Sequence, residues 1–182
     1  DSRISIVINP KNFGAGESRN IGILKSNGIY IAFLDADDIW ALNKIEYQIN
    51  FMQENNLNCS HTSYNIIDEN RVIVDKRIAK KFLKYEQLLK SCDIGLSTVM
   101  LKKTILSEYC KFPNIKTKED FVLWLKILKT GHIFGAIDKK LSLWRNSKNS
   151  LSSSFFQKLI DGFNVYYIHM NYKFFKSLYL LI

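Results

Sequence analysis

Three carboxylates follow one short apolar run early in the chain. In the stretch YIAFLDADDIW, residues 30–40, the acids are Asp35, Asp37 and Asp38. Asp35 and Asp37 are two residues apart, so in an extended turn both side chains can point to the same side. Carboxylate oxygens are hard ligands that suit Mg²⁺ or Mn²⁺, and such an ion can bridge to a diphosphate. The alternative is that Asp37 or Asp38 simply caps the helix that follows.

A second pair of acids, Glu119 and Asp120, opens an apolar helix in the stretch TKEDFVLWLKILKTG. A carboxylate fixed at a helix start is held in one direction and can act as a general base. Thr117 lies three residues before Asp120, which approximates a capping box. On these residues alone, a structural cap is the favoured interpretation and the general base is the alternative.

Two arginines lie where they could bind phosphate. Arg145 ends a predicted strand in LWRNSKNSLSSS, and an arginine there can bind phosphate through two parallel hydrogen bonds while the loop closes over it. A surface salt bridge explains Arg145 equally well. Arg19 lies in NFGAGESRNIG, a glycine-containing loop that leads into a helix. That segment lacks both G-x-x-x-x-G-K-[ST] and G-x-G-x-x-G, so it is a weak phosphate-binding signal by itself.

The elements predicted around these residues alternate between strands and helices. Apolar, β-branched runs predict strands at 4–8 and 29–34, separated by a helix over about 17–26. This order is typical of an α/β layer with a parallel sheet, in which ligands gather at the carboxyl ends of the strands. Asp35 directly follows the second strand, so its location favours a binding site.

The rest of the chain continues this alternation. Residues 146–154, NSKNSLSSS, are polar and serine-rich and indicate a loop. Hydrophobic spacing predicts further helices at about 40–55, 85–91, 118–129 and 155–177, the last of them amphipathic, and further strands near 59–66, 71–74, 97–101, 132–137 and 141–144.

Composition limits the classes of protein to consider. A length of 182 residues with 47% hydrophobic content suits one globular domain. The 26 Lys and Arg against 17 Asp and Glu favour anionic partners, but the lysines are dispersed, so we expect no nucleic-acid partner. Three widely spaced cysteines, Cys59, Cys92 and Cys110, suit a reducing compartment. The aromatic and basic end NYKFFKSLYLLI leaves contact with a membrane surface open.

In order and spacing, the segments NFGAGESRNIGI, YIAFLDADDIW, TKEDFVLWLKILKTG and LWRNSKNSLSSS resemble the bacterial family 2 glycosyltransferases of GT-A fold. The similarity covers about residues 4–153 and is greatest to members that build surface polysaccharide or lipooligosaccharide. It implies a mixed, mainly parallel α/β sheet flanked by helices. The expected domains are a partial GT-A domain over 1–153 and an amphipathic helical extension over 154–182. The family's first nucleotide-binding strands have no counterpart before Asp1, so we expect an N-terminally truncated domain.

The resemblance implies a metal-dependent, inverting transfer of sugar from a nucleotide-diphosphate sugar to a growing surface glycan. The expected donor is a uridine-diphosphate sugar. The expected partners are this donor, a glycan or lipid-linked glycan acceptor, and, peripherally, the inner face of the membrane; the expected location is cytoplasmic or peripheral at the inner membrane. The resemblance assigns the binding of the nucleotide sugar to Asp35, Arg19 and Arg145. It assigns the binding of Mn²⁺ or Mg²⁺ to Asp37. It assigns catalysis to Glu119 and Asp120, with Asp120 as the base.

Two positions depart from the family pattern. Ser147 stands where the family often has His, and Leu42 stands where it often has Pro. Because the segment that holds the nucleotide base has no counterpart here, a noncatalytic remnant or a carbohydrate-binding module of the same fold is the alternative to an enzyme.

Overall fold

The computed structural model describes residues 1–80, 82–146 and 155–182, without the side chain of Phe155. Helices and strands alternate over most of this part of the chain. The helices are α1 (Ala15–Lys25), α2 (Lys44–Glu54), α3 (Tyr85–Leu88), α4 (Glu119–Lys129), α5 (Phe155–Asn164) and α6 (Phe174–Leu181). The strands are β1 (Tyr30–Ala32), β2 (Ile39–Trp40), β3 (Cys59–Ile67), β4 (Ile73–Arg77), β5 (Met100–Lys102) and β6 (Phe134–Arg145).

These strands form one mixed sheet in the order β1-β5-β3-β6-β2, with β4 also paired to β3. Strands β3 and β6 run parallel from the pair Cys59 and Phe134 to the pair Ile67 and Arg145. The pairings of β1 with β5, β2 with β6, and β3 with β4 and β5 are antiparallel. The mixed α/β sheet flanked by helices is therefore confirmed, whereas the expectation that it is mainly parallel is wrong.

The segment 4–8 accounts for that error. It forms no strand in the described structure, and its side chains are exposed, with Ile6 at 83% and Ile8 at 86%. A β-branched run becomes a strand only where a neighbouring backbone supplies hydrogen-bond partners, and none of the described strands pairs with it. Helix α1 therefore does not connect two strands of this sheet.

Several other boundaries differ from the prediction because of strand pairing. Helix α2 begins at Lys44, since Ile39 and Trp40 pair with β6 as a short strand. The two strands expected over 132–144 are one long strand, β6, whose register against β3 shifts on either side of Ser63. The strand predicted at 97–101 begins as a turn of 3-10 helix over Leu96–Thr98.

The single C-terminal amphipathic helix predicted at 155–177 is also wrong. Helix α5 passes into a π-helical turn, Val165–His169, and α6 begins only at Phe174. Asn171 lies between them with φ 60, and this left-handed conformation interrupts the helix. The predicted loop after Asn146 and the predicted domain boundary at 153/154 lie outside the described residues.

Helix α4 anchors the core from which the site is built. Trp124 is fully buried and lies against three aromatic rings, with centroid separations of 5.5 to 6.2 Å, from Phe33, Phe112 and Phe134. Such buried rings account for a large share of a domain's stability, and truncating one costs about 3–5 kcal/mol. Because Phe33 lies two residues before Asp35, this packing fixes the start of the acidic segment relative to α4.

Candidate active site

The acidic loop, residues 35–38, is a turn just beyond β1. The Asp38 N–H donates to the Asp35 carbonyl at 3.1 Å, which closes the turn. The Asp35 N–H donates to the Ser97 hydroxyl at 3.1 Å, and Trp40 Nε1 donates to the Ser97 carbonyl at 2.6 Å. Ser97 therefore fastens both ends of the loop. Nothing in the sequence singled out this serine, because its partners lie about 60 residues away.

The three acids of this loop have different environments. Asp37 is exposed, the Asp35 side chain is 36% exposed, and Asp38 is buried. Asp38 Oδ1 accepts the N–H of Arg145 at 2.9 Å, and burial raises the pKa of Asp38. The N-cap of α2 is Asn43, so neither Asp37 nor Asp38 caps that helix. Asp38 is a structural residue that joins the acidic loop to the end of β6.

Arg19 of α1 connects the acidic loop to the start of α4. Its Nη2 lies 2.8 Å from Asp35 Oδ1 and its Nη1 lies 2.5 Å from Glu119 Oε1, an arrangement we call the Arg19 bridge. The arginine side chain is only 20% exposed, and its guanidinium lies 5.6 Å from the centre of the Phe112 ring. Salt screens such partly buried pairs less than surface pairs. Three residues singled out by the sequence therefore meet at one point.

The start of α4 does not form the capping box that its sequence suggests. The N-cap is Lys118, in a left-handed conformation with φ 63 and no capping hydrogen bond from its side chain. The Thr117 hydroxyl instead donates to Asp161, and Asp120 Oδ1 accepts the N–H of the adjacent Phe121 at 2.7 Å. The capping-box explanation of this segment is therefore wrong.

The surroundings of Asp120 make its carboxyl group a weaker acid than that of an ordinary aspartate. Burial raises the pKa of Asp120 to about 6, and the negative charge of Glu119 acts in the same direction. The Phe121 N–H and the positive charge of Arg19 act to lower it. A carboxyl group with this pKa is largely ionised at neutral pH and still attracts a proton more strongly than an ordinary aspartate, as a general base requires.

Arg145 organises the opposite side of the acidic loop. Its Nε donates to the Asp37 carbonyl at 3.0 Å, and its Nη1 lies 3.2 and 3.3 Å from the carbonyls of Asp68 and Glu69. Together with its backbone bond to Asp38, these contacts join the end of β6, the acidic loop and the turn after β3. Arg145 therefore lies at the site, and its assigned contact with the nucleotide sugar stays a prediction.

The acidic loop has too few carboxylates to bind a divalent ion unless a bound nucleotide supplies further oxygen ligands. Within the described ranges, no three His, Cys, Asp or Glu side chains converge to hold a metal ion. Asp37 is exposed and Asp35 lies beside it, so this loop can offer one or two hard oxygen ligands. Mg²⁺ is commonly held by that number of carboxylates together with substrate phosphates and water. This donor set suits an ion that binds together with a nucleotide, and the assignment of Asp37 as its protein ligand stays a prediction.

Comparison with known proteins places these features in a family. A model of the family "Glycosyl transferase family 2" matches residues 1–110. This chain belongs to glycosyl transferase family 2. The family membership and the mixed sheet agree with the GT-A fold expected from the sequence.

Two curated relatives and one solved structure illustrate what this family 2 chain is similar to. It is 43% identical over 161 residues, 87% of this chain and 62% of the relative, to UDP-Glc:alpha-D-GlcNAc-diphosphoundecaprenol beta-1,3-glucosyltransferase WfgD of Escherichia coli. It is 36% identical over 155 residues, 85% of this chain and 61% of the relative, to the putative teichuronic acid biosynthesis glycosyltransferase TuaG of Bacillus subtilis strain 168. The chain thus spans about three fifths of the length of these relatives. The S. aureus TarS 1-349 structure in complex with UDP-GlcNAc matches with TM-score 0.69 and 15% identity, over 96% of this chain and 52% of TarS 1-349.

In this family 2 chain, α5 supports the start of α4 through Asp161, a residue that the sequence analysis missed. Asp161 Oδ2 accepts the Thr117 N–H at 3.0 Å and the Thr117 hydroxyl at 2.7 Å, while its Oδ1 accepts Gln157 Nε2 at 3.0 Å. Asp161 is buried. It is the last acidic residue of the chain, and its position in an otherwise apolar and basic segment is the sequence signal that could have identified it. Thr117 precedes Glu119 by two residues, so Asp161 helps to position the Glu119–Asp120 pair.

Asp161→Ala is expected to lower the free energy of unfolding by about 1.5–3 kcal/mol, since buried hydrogen bonds to a carboxylate are lost and Thr117 is left unpaired. Urea unfolding measures this change. Thr117→Val combined with Asp161→Ala should cost less than the sum of the single changes, because the two residues share one interaction. Lys158→Ala on the same helix is the control. Additive costs would show that the contact contributes nothing to stability.

Lys44 lies behind the acidic loop in an apolar setting. It is fully buried, its Nζ donates to Gln48 Oε1, and the same Nζ lies 4.2 Å from the centre of the Trp40 ring. Gln48 in turn donates to the Thr98 carbonyl at 3.0 Å. Burial lowers the pKa of Lys44 to about 7. This lysine links the ring that flanks the acidic loop to the middle of the sheet.

Lys44→Met is expected to flatten the dependence of stability on pH between about 7 and 9. Over this range the unfolded chain keeps the lysine proton, because the ordinary pKa is 10.5, whereas the folded chain has largely released it. The unfolded state therefore binds more protons, and wild-type stability should gain up to about 1.4 kcal/mol per pH unit from this residue. Urea unfolding at several pH values measures the slope, with the exposed Lys25→Met as control. Parallel curves for Lys44→Met and wild type would contradict the assignment.

Proposed function

We propose that this protein transfers a sugar from a nucleotide-diphosphate sugar to a hydroxyl group of a bacterial surface glycan, with Mn²⁺ or Mg²⁺ and with inversion at the anomeric carbon. The observation that carries the proposal is the Arg19 bridge. It joins Asp35, assigned to the donor, with Glu119, the neighbour of the proposed base. The groups needed at the two ends of a transfer reaction thus lie at one site.

On the donor side, Asp35 contacts the nucleotide sugar and Asp37 would hold the divalent ion. When bound, the ion would supply positive charge to offset the negative charge on the leaving diphosphate. Arg19 contacts the Asp35 side chain and Arg145 contacts the Asp37 carbonyl, so each arginine lies next to one of these acids, and we assign both to the donor phosphates. Groups fixed in advance in this way stabilise developing charge without reorganisation during the reaction.

On the acceptor side, Asp120 removes the proton of the attacking hydroxyl group. The acceptor oxygen forms a bond to the anomeric carbon from the face opposite the diphosphate. The bond from that carbon to the phosphate oxygen breaks, and its electron pair leaves with the nucleoside diphosphate. The proton taken up by Asp120 is then released to solvent. Because attack and departure occur on opposite faces, the configuration is inverted.

The relatives guide the choice of substrates. One has a name that specifies UDP-Glc as donor and alpha-D-GlcNAc-diphosphoundecaprenol as acceptor, and TarS was solved with UDP-GlcNAc. We therefore propose a uridine-diphosphate sugar as the donor and a lipid-linked glycan as the acceptor for this chain. Such an acceptor requires the protein to work at the inner face of the membrane.

A transfer assay tests this proposal. The protein is incubated with Mn²⁺, a GlcNAc-diphospho-lipid acceptor and, in turn, UDP-glucose, UDP-galactose or UDP-GlcNAc, and UDP release and the glycolipid product are measured. We expect metal-dependent formation of a product of inverted configuration with one of these donors. Calorimetric titration with each donor and Mn²⁺ provides an independent reading. Binding of neither donor nor metal would contradict the enzyme and favour a noncatalytic or carbohydrate-binding role.

A further inference from the structure

The last part of the chain exposes several large apolar side chains. The exposed fraction is 61% for Ile168, 82% for Phe175, 79% for Tyr179 and 99% for Ile182. We call these residues, together with Ile160, Tyr167, Phe174 and Leu178, the terminal apolar surface. Single exposed apolar residues are ordinary, whereas a contiguous group indicates an interaction site.

Ring contacts make this surface continuous across the helix break. The Phe163 ring centre lies 5.3 Å from that of Tyr167 and 5.5 Å from that of Phe174, and Phe174 lies 5.6 Å from Phe175. These contacts connect α5 and the π-helical turn to α6. The aromatic part of this surface is therefore continuous from α5 to α6.

The opposite side of the same segment packs on the core. Val165 is fully buried, Met170 is 2% exposed, and the buried Tyr166 donates its hydroxyl proton to the Leu89 carbonyl at 3.0 Å. The segment thus has two apolar sides, one packed on the core and one facing solvent. The core covers only the first side, so we expect another partner to cover the second.

The exposed charges of this segment are positive. Lys158, Lys173 and Lys176 are exposed, and residues 155–182 contain a single acid, Asp161. Asp161 is buried and is held by Thr117, so it contributes no carboxylate to the solvent-facing side. Lysines bordering exposed aromatic and aliphatic side chains complement a surface that is apolar below and anionic above.

We propose that the terminal apolar surface binds the interface of an anionic lipid bilayer, with α5 and α6 lying on the membrane. Within the described residues, no helix is long and apolar enough to cross a bilayer. Tyrosine and phenylalanine suit the boundary between headgroups and acyl chains, and the lysines contact the lipid phosphates. A partner without negative charge would leave this positive border unpaired.

This surface is linked mechanically to the candidate active site. Helix α5 carries Asp161, which binds Thr117 just before the Glu119–Asp120 pair. Binding of α5 to a bilayer would therefore place the start of α4 near the membrane, where a lipid-linked acceptor is found. Only this last point rests on the proposed function; the membrane contact itself rests on exposure and charge.

Vesicle flotation of the full 182-residue chain, without any sugar nucleotide, tests the proposal. We expect strong binding to vesicles of equal parts phosphatidylglycerol and phosphatidylcholine, weak binding to phosphatidylcholine alone, and a loss in about 0.5 M salt. The double change Phe175→Ser and Tyr179→Ser should abolish binding. The double change Lys173→Gln and Lys176→Gln should weaken it by about fivefold per lysine.

Matched changes elsewhere on the surface serve as controls. Leu24→Ser removes a side chain that is 78% exposed on α1, and Lys25→Gln with Lys129→Gln removes two exposed lysines. These variants should bind as wild type does. Unchanged flotation of the Phe175 and Tyr179 variant, equal binding to both vesicle types, or a dimer in light scattering that this variant abolishes would overturn the proposal. Since no donor is present, a failure here leaves the transfer assay unaffected.

Discussion

Asp120→Asn is expected to slow sugar transfer by about 10²- to 10⁴-fold, the usual contribution of a general base, while binding of the donor stays near the wild-type value. Asparagine keeps the size of the side chain and its bond to the Phe121 N–H but cannot accept the proton of the acceptor hydroxyl. Steady-state kinetics and calorimetric donor titration measure the two quantities. Because burial raises the pKa of Asp120, its charge disfavours the folded state at pH 7.5, so the variant should unfold at the wild-type temperature or above it.

The pH dependence of kcat/KM is a second test of Asp120 as the general base. The base acts in its ionised form and its pKa is about 6, so wild-type kcat/KM should rise between about pH 5 and 7 with a midpoint near 6. The residual activity of Asp120→Asn should lack that midpoint. Glu54→Gln, which removes one exposed carboxylate at the end of α2, should change neither property. A variant that keeps a third of wild-type activity, or that fails to fold, would show that Asp120 is chiefly structural.

Asp37→Asn is expected to reduce metal-dependent transfer by about 10²-fold or more, since a bound ion contributes several kcal/mol of charge stabilisation in such reactions. Asp37 is exposed, and its carbonyl, rather than its carboxylate, is the group bound by Arg145. Folding stability should therefore change by less than about 0.5 kcal/mol. Titration of Mn²⁺ in the presence of UDP should show weaker binding of the ion, which is a reading independent of activity.

Asp38→Asn is the matched comparison for Asp37→Asn. This buried acid accepts the backbone N–H of Arg145, so its substitution should act first on the loop and on stability. Glu54→Gln again controls for loss of one negative charge. Unchanged Mn²⁺ binding by Asp37→Asn would contradict its role as metal ligand. A loss of Mn²⁺ binding in the Asp38 variant at unchanged stability would transfer that role to Asp38.

Local sequence patterns were sufficient to bring the main polar residues to attention. Acids at the end of β1 and at the start of α4 are visible because each interrupts or begins an apolar run, and the amphipathic spacing of α4 predicts its bounds within one residue. The Arg19 bridge shows that positions 19, 35 and 119 do meet. Their chemical roles came from the family resemblance and stay predictions.

Pairings between distant segments were beyond such patterns. Strand direction depends on which backbones meet, and β1 pairs with β5, some 70 residues further along the chain. Local patterns do not predict the roles of Ser97 and Asp161, because a single serine or aspartate has no periodic signal. The role of each depends on a hydrogen bond to a residue distant in the sequence. The helix predicted at 40–55 includes Trp40, the second residue of β2, because Trp40 suits either structure until its pairing with Ser142 is known.

The long sequence separation between Arg19 and Glu119 also predicts when their contact forms during folding. Arg19 and Glu119 are 100 positions apart in the chain, and the Arg145 amide and the Asp38 carboxylate are 107 apart. Contacts of such long sequence separation must overcome a large loop-closure entropy before they stabilise anything, so we expect them to form late. During synthesis, the acidic loop leaves the ribosome long before either of its long-range partners. The candidate active site therefore forms only in the finished domain, because each half of the chain lacks some of its contacts.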